Sequence, residues 1–289
     1  MVGLLPWIVT GMRLPLQNLW SSSTTDPADM PVALLPFSQY SVVLIAGLVL
    51  VGGAVGGLVG RRLRPRLGRA GVVAAALGLL GVHLVALVET AVVTGAGLST
   101  DRSVGTSSSL SAAQVYLAAL VVGTIGAIAV ALVLFLVLVR VPGPGLVVAC
   151  AVVALAFGVW VNAFVDPGTR IGDEGTAAVL AVTRWVPAVV LGVAIAVVGI
   201  RTAGRVVAAV VSLLVLWTGT AAITAVATAF GSRVYLPYPV DLATFGLQVF
   251  GAAIGPAGAG LWNALAAAVI GIAGALVLGA RRRSPRALR

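Results

Sequence analysis

The stretch VVLIAGLVLVGGAVGGLVGRRLRPRLGR, residues 42–69, joins an unbroken apolar run to a cluster of five arginines. An apolar run of about 18 residues or more is long enough for a helix to cross the ~30 Å hydrocarbon core of a bilayer. Arginines that flank a span lie preferentially on its cytoplasmic side. The stretch therefore predicts a membrane-spanning helix whose C-terminal end faces the cytoplasm.

The composition of the whole chain indicates the same class of protein. Of its 289 residues, 60% are hydrophobic and 9% are charged, whereas soluble domains carry about 25% charged residues. A backbone in hydrocarbon satisfies its own hydrogen bonds as a helix. We therefore predict an all-α, polytopic helical membrane bundle with seven transmembrane helices, at residues 42–60, 71–93, 113–139, 145–164, 178–200, 206–229 and 257–280.

Arginines are distributed unevenly between the two ends of these spans. The chain has no lysine, and 13 of its 18 arginines fall on one side. They are Arg61, Arg62, Arg64, Arg66, Arg69, Arg140, Arg201, Arg205, Arg281, Arg282, Arg283, Arg286 and Arg289. This asymmetry predicts that the N-terminus lies outside and the C-terminus in the cytoplasm. The arginine-only, Ala-, Val- and Gly-rich composition is typical of GC-rich bacteria, so we expect a bacterial inner (cytoplasmic) membrane.

The net charge of +10 follows from this topology. Basic clusters at the cytoplasmic face attract anionic lipid headgroups. Membrane lipids are thus the expected partners, and nucleic acid is not.

The N-terminal stretch MVGLLPWIVTGMRLPLQNLW, residues 1–20, is apolar but interrupted by Pro6, Arg13 and Pro15. These interruptions disfavour a spanning helix. We interpret residues 1–40 as an extracytoplasmic, interfacial or re-entrant segment; the alternative is an eighth span, with the N-terminus inside. A single seven-helix transmembrane domain at 41–280 and a basic cytoplasmic tail at 281–289 would complete the chain.

Missing residue types restrict the chemistry. Without lysine, neither a retinal Schiff base nor a Walker A loop can form. The chain has one histidine, His83, and one cysteine, Cys150, which disfavours paired-histidine haem ligation, a metal site and an internal disulfide. We expect no cofactor and no metal, and assign no catalytic residue.

Four spans each place one polar side chain at a similar depth. At about 1.5 Å per residue, these side chains lie ~26–27 Å above the cytoplasmic ends of their helices. They are Glu89, Asn162, Arg184 and Asn263. His83 and Trp217 lie lower, at ~18 Å. These six residues form the predicted ligand-binding set.

Two interpretations of this layer stay open. Trp160, Trp185 and Trp262 stand next to three of its members in sequence, as in an aromatic belt at the membrane interface, and Arg184 would then snorkel outward. Alternatively, Glu89 and Arg184 pair in a vestibule open to the outside, because a partner offsets the cost of a charge within a span.

Other residues bear on helix packing and helix ends. Gly52, Gly56 and Gly60 permit close helix approach, either within the chain or with a protein partner or second copy. For His83, a hydrogen bond between helices is favoured over proton handling. Pro187 predicts a kink in the fifth span. Residues 241–254 predict an interfacial helix capped by Asp241; the alternative is a loop on the bilayer surface.

Three classes of function are compatible with this pattern. The favoured one is a permease or carrier for a small or amphiphilic solute, with its site in the polar layer. The first alternative is a non-catalytic accessory or anchor subunit of a larger membrane complex. The second is a membrane enzyme acting on a lipid-linked substrate, with Glu89 as acid or base, but a single carboxylate is weak support for catalysis.

Overall fold

The computed structural model describes residues 2–14, 29–99, 112–165, 174–232, 234–235 and 238–281. Within these residues the chain is helical, apart from short turns and one isolated β-bridge between Arg13 and Val32. The helices are α1 (Leu5–Val9), α2 (Val42–Ser99), α3 (Ala112–Arg140), α4 (Gly143–Val165), α5 (Glu174–Thr183), α6 (Val186–Val198), α7 (Ala203–Gly231), α8 (Pro239–Ala253) and α9 (Ala259–Arg281).

Seven helical segments are long and apolar enough to cross a membrane. They are Gln39–Arg66, Gly68–Leu98, Gln114–Arg140, Gly143–Val165, Glu174–Val198, Ala203–Gly231 and Ala259–Arg281. Each coincides with a predicted span, so the all-α, seven-span fold is confirmed and the chain is a multi-pass membrane protein. The orientation of its termini stays a prediction. Of the predicted tail at 281–289, only Arg281 is among the described residues.

Helix α2 contains two of these segments, joined at Gly68. The backbone there has φ 61° and ψ −168°, a conformation open to glycine but rarely to residues with a Cβ. Gly52 and His83 lie at nearly equal distances along the chain on either side of this turn. A Cβ on Gly52 would stand 3.3 Å from the His83 Nε2, so the two arms of α2 form an antiparallel hairpin.

The contacts divide the chain into two compact units. The first unit comprises Met1–Val139 and Val159–Thr176, and the second comprises Arg140–Gly158 and Ala177–Arg289. Whether residues 41–280 form a single transmembrane domain stays a prediction.

In the first unit, glycines bring α2 and α3 close together. A Cβ on Gly53 would stand 2.6 Å from the Ala131 carbonyl oxygen, and one on Gly57 would stand 2.9 Å from the Leu138 Cβ. Gly56 and Gly60 face the Phe135 ring on the same helix. This glycine face thus packs within the chain, and a role for Gly52, Gly56 and Gly60 in oligomers stays a prediction.

The N-terminal segment also belongs to the first unit, and several of its apolar side chains are buried. They are Trp7, Leu14, Met30, Ala33, Leu35 and Phe37. The Trp7 indole donates to the Ala33 carbonyl at 2.8 Å, and the Trp160 indole donates to the Gly3 carbonyl at 2.8 Å. Helix α1 has five residues, too few to cross a membrane, so residues 2–14 do not form an eighth span.

In the second unit, small residues allow α6 and α9 to pack closely. A Cβ on Gly192 would stand 2.7 Å from the Ile270 Cβ, and one on Gly271 would stand 2.8 Å from the Ile195 Cγ2. The buried core around this contact contains Ala188, Leu191, Ile195, Leu216 and Ala267. Neither α6 nor α9 can therefore gain bulk at these positions without separating the helices.

The helix predicted at 241–254 is present as α8. Its N-cap is Tyr238, and Asp241 lies in the first turn, so the prediction that Asp241 caps the helix is wrong. A carboxylate in the first turn still stabilises the positive end of the helix dipole. Whether α8 lies in the membrane interface stays a prediction.

Candidate ligand site at the break in the fifth span

The fifth span is broken into two helices. Helix α5 ends at Thr183 and α6 begins at Val186, which leaves Arg184 and Trp185 outside regular helix. Pro187 is the second residue of α6 and has no N–H to donate to the Thr183 carbonyl. The Trp185 N–H donates to the Val182 carbonyl, three residues earlier, at 3.1 Å, so the turn here is tighter than that of an α-helix. The kink predicted at Pro187 is thus confirmed as a break.

Glycine in a neighbouring helix makes room for the proline ring. A Cβ on Gly158 in α4 would stand 2.5 Å from the Pro187 Cγ. The first turn of α6 receives no side-chain hydrogen bond from its N-cap, Trp185. The positive end of a helix dipole therefore lies at the break without a capping side chain.

A cavity of about 460 Å³ adjoins this break. It is lined by Arg184, Trp185, Ala257, Ala259, Trp262 and Asn263, all of which belong to the second unit. Cavities that bind small molecules commonly measure about 300–1,000 Å³. The space is thus large enough for a small ligand or a lipid headgroup.

Arg184 gives this cavity a positive charge. Its guanidinium carbon lies 5.1 Å from the centroid of the Trp185 ring, within the range of a cation–π contact. The side chain is exposed, and no described carboxylate of the second unit forms an ion pair with it. Within the described residues of this unit, the Trp185 ring is the group that contacts the charge.

Asn263 contributes a buried hydrogen-bonding group. The residue is 4% exposed, and its Oδ1 has no hydrogen-bond partner in the described part of the chain. A buried polar atom left without a partner costs about 1–3 kcal/mol. Such a cost is offset when a molecule in the cavity donates a hydrogen bond to this oxygen.

Hydrogen bonds from two tryptophans hold the wall between α8 and α9. The Trp262 indole donates to the Pro256 carbonyl at 3.1 Å, and the Trp217 indole donates to the Ile254 carbonyl at 3.0 Å. Gly260 packs against Trp217, where a Cβ would stand 2.5 Å from the Trp217 carbonyl oxygen. Trp217 thus supports the wall without being one of its lining residues.

Glu89 of the predicted set is engaged in the first unit. Its carboxylate accepts hydrogen bonds from the Leu34 N–H at 2.9 Å and from the Thr90 hydroxyl at 3.1 Å. Thr90 in turn accepts from the Leu35 N–H at 2.9 Å. The two residues fasten the N-terminal segment to α2. A pair between Glu89 and Arg184 would join the two units and stays a prediction.

His83 and Asn162 also belong to the first unit. The His83 ring lies over Gly52, in keeping with a packing role. The Asn162 Oδ1 is buried without a hydrogen-bond partner among the described residues. Of the six predicted ligand-binding residues, Arg184 and Asn263 line one cavity, Trp217 supports its wall, and His83, Glu89 and Asn162 lie in the other unit.

Comparisons of the chain with protein-family models, with curated proteins and with solved structures give no match. The class of the molecule follows from its fold: it is a multi-pass membrane protein with a broken span beside a ligand-sized cavity.

Proposed function

We propose that this chain is a carrier that moves a small or amphiphilic solute across the membrane, with the cavity at Arg184 and Asn263 as its binding site. The observation that carries the proposal is the break between α5 and α6 beside this cavity. Secondary transporters commonly bind substrate at discontinuous helices, where helix ends offer partial charges and irregular backbone lines a cavity.

The two ends of α6 also support the carrier proposal, because they would allow this helix to move. The helix begins after Arg184 and Trp185 and ends at Gly199, whose φ is 76° and ψ is 170°. Trp185 keeps helical dihedrals (φ −87°, ψ −8°), whereas Gly199 does not, so α6 is a 13-residue helix with an interruption of the α-helical pattern at one end and a glycine joint at the other. Hinges of this kind absorb the dihedral changes of a conformational step, and a carrier needs such a step to change the side on which its site is open.

The chemistry of the lining favours binding over catalysis. The residues around the cavity supply a guanidinium, two indoles, one amide and two methyl groups. This lining contains no carboxylate, imidazole, thiol or hydroxyl to act as acid, base or nucleophile. The buried Asn263 Oδ1, which has no partner among the described residues, carries a cost that a ligand in the cavity would offset.

Cysteine accessibility tests the proposal. In a Cys150→Ser background, Ala257→Cys places a thiol on the cavity wall. Ala267→Cys places one a helical turn beyond Asn263, where the residue is fully buried. Both variants are treated with a membrane-impermeant maleimide in intact cells and in inside-out vesicles.

For a carrier, Ala257→Cys labels from one side and Ala267→Cys labels slowly from the opposite side, because α6 must move away from α9 to expose it. A thiol at position 267 that stays unlabelled from both sides, while position 257 reacts, would mean a static site and would overturn the proposal. Labelling of denatured protein controls for the intrinsic reactivity of each thiol.

A further inference from the structure

The cavity in the second unit is electrostatically suited to an anion. The Arg184 guanidinium has no acidic partner among the described residues of the second unit, and the uncapped first turn of α6 adds partial positive charge. Both favour a negative group. A quaternary ammonium is disfavoured, because Arg184 already covers one face of the Trp185 ring and would repel a second cation.

Asn263 adds a second requirement for the ligand. Its Oδ1 accepts hydrogen bonds and is unpartnered among the described residues, although the side chain is 96% buried in a lining of otherwise apolar or cationic groups. A simple anion, such as chloride, has no donor for this oxygen. A hydroxyl or amide N–H next to the anionic group would supply one.

The rest of the lining is apolar. Ala257 and Ala259 contribute methyl groups, and the Trp262 indole N–H is already used by the Pro256 carbonyl. Trp262 is also 55% exposed, so its ring offers an apolar surface at the mouth of the cavity. A phosphate or carboxylate attached to a carbon skeleton therefore fits better than a free inorganic ion.

We infer that the cavity binds an organic anion, a phosphate ester or a carboxylate, with a neighbouring hydroxyl or amide donor: the anion contacts Arg184 and the donor contacts the Asn263 Oδ1. The inference rests on the proposed function, since it names the ligand class of the same cavity. Either a lipid headgroup or a water-soluble organic anion has this chemistry.

Thermal unfolding of the purified chain in a neutral detergent tests the inference. The probes are phosphatidylglycerol, which has a net negative charge and headgroup hydroxyls; phosphatidylcholine, whose phosphate charge is balanced by a quaternary ammonium and which has no headgroup hydroxyl; and soluble glycerol 3-phosphate. At saturation, phosphatidylglycerol or glycerol 3-phosphate should raise Tm by roughly 5–10 °C, and phosphatidylcholine should not. A shift with glycerol 3-phosphate as large as that with the lipid identifies a soluble ligand; a shift with the lipid alone identifies a headgroup.

Variants assign the effect to the cavity. Arg184→Gln should weaken the apparent affinity about 10- to 100-fold, as expected when a charged hydrogen bond is lost. Asn263→Leu should remove the part of the phosphatidylglycerol affinity that its hydroxyl provides and leave the charge contact with Arg184. Arg205→Gln removes the same charge at the far end of the second unit and should leave the affinity unchanged within about twofold.

Three results would overturn the inference: no shift with either anion, an equal shift with phosphatidylcholine, or a loss in Arg205→Gln that matches the loss in Arg184→Gln. The outcome is separable from that for the carrier. If the anions bind but the thiol at position 267 is labelled from neither side, this inference stands and the carrier proposal is rejected. If that thiol is labelled but the anions do not bind, the carrier proposal stands and this inference is rejected.

Discussion

The guanidinium of Arg184 stacks 5.1 Å from the centroid of the next residue in the chain, Trp185. Adjacent residues on a regular α-helix do not face each other. Both residues lie at the interruption between α5 and α6, so the contact marks this point of the fifth span. A single feature, the break, presents both the charge and the aromatic surface to the cavity.

Pro187→Ala should close this break. Alanine restores an N–H that can bond the Thr183 carbonyl, so α5 and α6 can continue into each other and separate Arg184 from Trp185. We expect the apparent affinity for phosphatidylglycerol to fall at least about tenfold, the effect of losing one charge-assisted contact. Tm titration measures this, with Pro144→Ala as the matched control, because Pro144 is likewise the second residue of a spanning helix, α4, and lies outside the cavity lining. Equal affinity in both variants would mean that the break is not required.

Asn263→Leu should make the ligand-free protein more stable. The substitution replaces a buried amide oxygen that has no partner among the described residues with an apolar group of similar size. We expect the free energy of unfolding to rise by about 1 kcal/mol, measured by detergent titration. Asn162→Leu is the matched control: it removes the same kind of unpartnered oxygen in the first unit and should leave anion binding intact. A loss of stability at position 263 would contradict the proposed cost of this oxygen.

Glu89→Ala should loosen the N-terminal segment. The Leu34 N–H would lose its acceptor, at a cost of about 1–3 kcal/mol, and trypsin should cleave faster after Arg13. Glu89→Gln keeps an acceptor and should have the smaller effect.

Repeating Glu89→Gln in an Arg184→Gln background tests the predicted pair between Glu89 and Arg184. A loss of stability in the double variant that is smaller than the sum of the single losses would support the pair, whereas strict additivity would mean that the two charges do not interact.

Gly53→Ala should disrupt the first unit, whereas Gly56→Ala should be tolerated. The new methyl at position 53 would press on the Ala131 carbonyl oxygen at 2.6 Å, but at position 56 it would meet the Phe135 ring at 3.4 Å. We expect a loss of about 1–3 kcal/mol at position 53 and little change at position 56. Thermal unfolding of both variants measures the contrast, and similar Tm values would contradict it.

The orientation can be tested at the two ends of α7. In the Cys150→Ser background, Ser232→Cys should react with an impermeant maleimide in intact cells, because position 232 lies at the end opposite the arginine turn. Thr202→Cys, beside Arg201, should react only after permeabilisation. The reverse pattern would invert the topology.

Hydropathy predicts the seven spans because a helix that crosses hydrocarbon needs about 20 apolar residues, a requirement visible in any single span. The break is likewise local, since Pro187 acts on its own helix. Counting residues from the cytoplasmic end of each span also predicts the same depth for Arg184 and Asn263, and the two residues line one cavity. Depth does not give the direction in which a side chain points. The layer therefore also included Glu89 and Asn162, which lie in the other unit.

The N-terminal segment could not be predicted in this way. Trp7, Leu14 and Phe37 are buried, but Trp7 lies in a helix of five residues and the other two lie outside helices, so their spacing has no period to recognise. The hydrogen-bond donor to the Glu89 carboxylate cannot be predicted from the sequence for a related reason. It is the backbone N–H of Leu34, 55 residues earlier, and backbone groups are the same at every position in a sequence.

The hydrogen bond from Trp160 to the Gly3 carbonyl joins residues 157 positions apart. At about 5–20 residues per second, a ribosome needs roughly 8–30 s to travel between them. During that interval α2 and α3 can insert and pair through their glycines, while the turn Val2–Leu4 still lacks its indole donor. The Gly3 carbonyl, although made early, thus meets its indole partner only after most of the first unit has been synthesised. Membrane insertion of α2 and α3 can therefore precede the final placement of the N-terminal segment.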